Sequence, residues 1–129
     1  RQLAEGEGWV GCRKEHFLKL GGFPTDDPDG HAQEPIWLGL KNWLVGGKLM
    51  VNKKTWYAHM HQDSTQRGYG TSKRHTEQTY KWTADYWLQN KWSGIIHNFE
   101  WFVDKFMPMP TWSENWKELY NRYRERDNK

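Results

Sequence analysis

The most regular hydrophobic pattern in the chain lies between residues 34 and 45, where Ile36, Trp37, Leu40, Trp43 and Leu44 recur at spacings of three and four. That period puts all five on one face of a helix. Pro35 suits its first turn, where a missing N–H costs nothing, and Gly46-Gly47 stops it. Upstream, Phe17, Leu18 and Leu20 predict a shorter helix packed on one face. Gly21-Gly22 ends it, because glycine takes the left-handed conformation past a helix end at little steric cost. Residues 23–30, with Pro24, Pro28 and three aspartates, predict a polar loop.

Beyond Gly47 the period shortens. Residues 48–52 alternate loosely and predict a strand, and after Lys53-Lys54 a second strand is expected over 55–59, ending in His59. Residues 62–72 carry two glycines with almost no apolar side chain except Tyr69, which predicts a loop. Residues 73–91 then read as a helix with Tyr80, Ala84, Trp87 and Leu88 on one face, and residues 95–106 as another. Pro108 and Pro110 break the chain, and Ser113 suits the cap of a last helix bearing Trp116, Leu119, Tyr120 and Tyr123. The expected architecture is α/β, with a mostly helical extension from residue 73.

Composition changes how such a core is built. Ten Trp, six Tyr and five Phe stand beside 27% charged residues, and Ile, Val and Leu are scarce, so the core is expected to be aromatic, with polar handles to satisfy. The same side chains, if exposed, make stacking platforms for sugar rings. Net charge is +3, with basic and acidic residues interspersed, which is too dilute an electrostatic footprint for nucleic-acid binding. The single Cys12 excludes an internal disulfide and fits a reducing, cytoplasmic setting. No apolar run approaches the roughly 20 residues that span a bilayer, although association with a membrane where surface glycans are assembled is compatible with the chain.

The order F-L-K-L-G-G-F at residues 17–23, then Glu34, Trp43, Gly46-Gly47 and Trp56-Tyr57-Ala58-His59 resembles family 2 glycosyltransferases of the GT-A type. It is also similar to the polypeptide N-acetylgalactosaminyltransferases, in which an acid is followed by a Trp, paired glycines and a strand that ends in His. The resemblance implies the C-terminal portion of a Rossmann-like GT-A domain over residues 1–62, a lid loop over 63–72 and a helical extension over 73–129. It further implies that the Asp-x-Asp half of the site lies outside this chain, which is then expected to be inactive alone. The opening residues 1–8 look like the middle of a longer chain.

Transfer from a nucleotide-sugar donor requires charge neutralisation on the leaving diphosphate and deprotonation of an acceptor hydroxyl, on a glycan, lipid or protein. By the resemblance, Glu34 is the candidate catalytic base at a helix N-terminus, where the helix dipole favours its charge. The family's second acid is replaced here by Pro35, and Asp26, Asp27 and Asp29 are possible substitutes. His59 matches the histidine that completes a Mn²⁺ or Mg²⁺ site in metal-dependent relatives, and His61, two residues on, would share its face of the strand. Arg67 is expected to meet phosphate from the lid, Tyr69 to stack or donate a hydrogen bond, and His31 to contact a substrate hydroxyl. The alternative is a non-catalytic carbohydrate-binding or degenerate transferase module.

Overall fold

The computed structural model describes residues 11–26, 33–58, 60, 70 and 72–126. Among them five helices follow one another: α1 (Lys14–Lys19), α2 (Glu34–Leu44), α3 (Lys73–Leu88), α4 (Phe99–Phe106) and α5 (Trp116–Arg126). No strand forms among the described residues, and this overturns the α/β, Rossmann-like expectation. Residues 48–52 and 55–58 form no ladder with another described segment. Their side chains show why: Met50 is 84% exposed and Trp56 85%, so alternation exists in the sequence without a buried face to reward it. A strand also needs a neighbour for its N–H and C=O groups. Trp56, expected to pack within a strand, instead stands in solvent.

Helix α2 is the axis of the molecule. Its residues Trp37, Leu40, Trp43 and Leu44 are buried at the predicted spacing and meet Trp87 of α3, Phe99, Phe102 and Val103 of α4, and Trp116 and Tyr120 of α5 in a single core. Seven of these ten side chains are aromatic and pack at tilted or edge-on angles, as ring quadrupoles prefer. The buried line of α3 differs from the predicted face. Thr79, Thr83 and Trp87 point inward at intervals of four, while Tyr80 is half-exposed and Ala84 faces water.

Three helices end with the same device. In α1, Gly22 N–H donates to Phe17 C=O and Gly21 N–H to Leu18 C=O; in α2, Gly47 to Asn42 and Gly46 to Trp43; in α3, Lys91 to Tyr86 and Asn90 to Trp87. These paired bonds are the Schellman pattern, which uses up carbonyls that the helix leaves unbonded. The residue at the bend has positive φ each time, +74° at Gly21, +82° at Gly46 and +54° at Asn90. Asn90 carries further contacts that glycine would lack: its Nδ2 donates to Tyr120 Oη at 3.2 Å, and its Oδ1 accepts from Phe99 N–H at 2.9 Å. It thereby ties the end of α3 to α4 and α5.

The N-termini of α3 and α4 are capped by side chains, Ser72 Oγ accepting from His75 N–H and Asn98 Oδ1 from Trp101 N–H. Ser113 lies three residues before α5, and its carbonyl accepts from Trp116 N–H.

Candidate functional site

Glu34 is the first residue of α2 and Pro35 the second. The proline ring sits where the helix has no N–H partner to lose. The Glu34 side chain is exposed, no described residue pairs with its carboxylate, and the positive end of the helix dipole favours its charge. One turn on, Trp37 is buried and forms the centre of an aromatic wall. Its ring lies 4.7 Å from Tyr86, 4.7 Å from Trp87 and 5.4 Å from Trp82. Trp82 and Tyr86 keep part of their surfaces in solvent.

Asp26 belongs to the same end of the molecule. The Tyr86 hydroxyl is held above the ordinary tyrosine range, first by burial and then by the negative charge of Asp26. Asp26 therefore brings a carboxylate to this aromatic surface, and Glu34 stands exposed at the start of the helix that carries Trp37. The arrangement offers proton acceptance from a hydroxyl beside faces on which an apolar ring face can rest.

The F-L-K-L-G-G-F segment fixes this end from beneath. After the Schellman turn of α1, Phe23 packs edge-on against Phe17 with ring centroids 5.4 Å apart. Lys41 of α2 then donates from Nζ to the Gly22 carbonyl at 2.7 Å, and His16 Nε2 meets Asn42 Oδ1 at 2.9 Å. Lys41 is almost fully buried and lies over the rings of Trp37 at 5.8 Å and Trp92 at 5.5 Å. Burial lowers its pKa, because removing an ammonium from water disfavours the charged form, while the carbonyl and the two ring faces offset part of that cost.

His31, His59, His61, Arg67 and Tyr69, together with Asp27 and Asp29, lie outside the described residues. Among the described residues no group of three His, Cys, Asp or Glu side chains gathers in a way that would hold a metal ion. Manganese or magnesium stays an expectation drawn from the resemblance. No helix among the described residues is long and apolar enough to cross a membrane.

Lys41, Tyr86 and Trp82 were not singled out by sequence reasoning. The available signal was a lysine on the apolar face of α2, three residues before Leu44 and four after Trp37, where a charged side chain is rare unless it is paired. No family model, curated protein or solved structure matches the chain.

Proposed function

We propose that the chain acts in sugar transfer from a nucleotide-sugar donor, with the N-terminal end of α2 on the acceptor side and Glu34 as general base. The observation that carries this is the exposed Glu34 carboxylate at a helix N-terminus, unpaired with any described residue and one turn before the buried Trp37. It is supported by the order of residues 17–23, Glu34, Trp43, Gly46-Gly47 and 56–59 that resembles family 2 glycosyltransferases. The helical architecture removes the sheet expected beneath such a site, so the proposal stands on the local arrangement and on that order of residues.

In this scheme Glu34 accepts the proton of an acceptor hydroxyl as its oxygen attacks the anomeric carbon, and the nucleoside diphosphate leaves with the bonding electrons. Removing a positioned base of this kind costs about 10²- to 10⁴-fold in rate. The test is release of nucleoside diphosphate from a panel of nucleotide sugars, with and without Mn²⁺, by the protein and by its Glu34→Gln variant. Release that the variant loses by at least a hundredfold, with the fold intact by circular dichroism, supports the assignment. Equal release by both proteins sinks Glu34 as base.

A second reading, a carbohydrate-binding module without catalysis, is favoured by Trp56, an indole 85% exposed beside the half-exposed Tyr57. It predicts glycan binding that Trp56→Ala abolishes, with no diphosphate release from any donor.

A further inference from the structure

At the opposite end of α2 a surface pocket of about 600 Å³ opens between the helix and the extended segment that follows it. Trp43, Leu49, Met50 and Val51 supply its apolar lining, and Lys48, Lys53 and Lys105 line it as well. Among the described residues, no acidic side chain lines it. The volume falls within the range of small-molecule sites, about 300–1,000 Å³.

Three lysines around one opening repel each other unless something neutralises them, and the fold directs its nearby acids elsewhere. Glu100 and Asp104 of α4 both pair with Lys117 of α5, at 3.7 and 3.0 Å. Lys105, next to Asp104 in sequence, is instead held over the faces of Trp43 at 5.5 Å and Trp101 at 4.7 Å. The Trp101 ring is itself stacked on His97 at 3.9 Å. The Lys105 ammonium is thus positioned by ring faces and keeps N–H donors for a ligand, because a cation–π contact consumes none of them. Lys48 and Lys53 are exposed and make no ion pair with a described residue.

We propose that this pocket binds a phosphate- or diphosphate-bearing small molecule with an apolar body, its anionic group between Lys48, Lys53 and Lys105 and its body against Leu49 and Met50. A multiply charged phosphate matches three ammonium groups better than a single carboxylate, and lysine binds it as a point charge without demanding fork geometry. The site is independent of the sugar-transfer proposal. Nine residues of helix separate Glu34 from Trp43, roughly 14 Å at about 1.5 Å per residue, too far for the anion bound here to be the group leaving from a sugar that Glu34 serves.

The body is either a flat ring, as in a nucleotide, or an aliphatic chain, as in an isoprenoid. The experiment is isothermal titration of the protein with adenosine diphosphate, geranyl diphosphate and inorganic pyrophosphate at low and moderate salt. The expected result is that one organic diphosphate binds at least tenfold more tightly than pyrophosphate and that its affinity falls with salt. Whichever organic probe binds more tightly assigns ring or chain.

The Lys48→Glu/Lys53→Glu double variant, at exposed positions that leave the core intact, should weaken that binding at least tenfold. A control reversal at Lys73 and Arg74 on α3 should leave it unchanged. Unaltered binding by the double variant, an equal loss in the control, pyrophosphate binding as tightly as the organic probes, or no binding at millimolar concentration would each overturn the proposal. Diphosphate release from sugar donors is a separate readout, so either proposal can fail while the other stands.

Discussion

The two ends of α2 are built from similar aromatic side chains but arranged for opposite charges. At the N-terminal end, Glu34 stands exposed one turn before the buried Trp37, Asp26 acts on the Tyr86 hydroxyl, and Pro35 holds the second position of the helix. At the C-terminal end, Gly46 and Gly47 close the helix tightly, Ile96 and His97 N–H groups both donate to the Leu44 carbonyl, and Lys48, Lys53 and Lys105 surround Trp43. One helix therefore carries an open acidic face and a closed basic one. Its dipole suits the acid at the start. The cations at the other end owe their position to ring faces and to the chain that follows the cap.

The comparison presumes that both ends belong to one cooperative core, and this is where the largest effect is expected. Trp37→Ala and Trp43→Ala should each cost about 3–5 kcal/mol, the usual range for deleting a buried large aromatic, measured by urea unfolding. Similar losses with a single transition in both variants would bind the ends together. Two transitions in either would break the comparison.

Next in size is the contrast in tightness. A Cβ on Gly47 would sit 2.7 Å from the Asn42 backbone carbonyl and closer still to its side-chain oxygen. Gly47→Ala should therefore destabilise by about 1–3 kcal/mol. The open end should be far more tolerant: Glu34→Gln removes only a charge–dipole interaction, about 0.3–1 kcal/mol, whatever it does to catalysis. Thermal unfolding of the two variants side by side reads the difference, and equal losses would mean the N-terminal end is as constrained as the other.

Lys41, midway along the helix, supplies the smallest and most specific signal. Its pKa is depressed in the folded protein, so the unfolded chain binds more protons between that depressed value and the ordinary lysine range. Stability should then rise with pH across that window, and Lys41→Met should remove this part of the rise. Tyr86 acts in the opposite sense above the ordinary tyrosine range, because its raised pKa makes the folded state bind more protons there. Denaturant midpoints at several alkaline pH values for both proteins check the sign, and parallel curves would refute it.

Helix α2 was fully legible in the sequence, since spacing, first-turn proline and terminal glycines all pointed the same way and packing agreed. The face of α3 was misread because Thr79 and Thr83 count as polar, yet their methyl groups pack inward while Tyr80 reaches water. Residues 48–58 were misread for a different reason. Alternation is a local property, whereas a strand exists only with a partner, and none of the described residues supplies one. Glu34 was singled out by the family resemblance, and the structure places it at the start of α2, exposed. The lysine pocket was invisible because Lys105 is distant in sequence from Lys48 and Lys53 and meets them only through Trp43. Asn90 was missed because Asn enters the left-handed region only where its side chain finds local partners, here Phe99 and Tyr120.

The exposed Trp56 gives the protein an optical asymmetry. Of the described tryptophans, Trp37, Trp43, Trp87 and Trp116 are buried, Trp82, Trp92 and Trp101 are partly shielded, and Trp112 is 40% exposed, whereas Trp56 stands at 85%. Among the described indoles, red-edge excitation therefore favours Trp56, on the same segment that walls the lysine pocket. A neutral quencher should extinguish that emission first, and any ligand that orders residues 48–58 should blue-shift it, so the chain carries its own fluorescent reporter of occupancy.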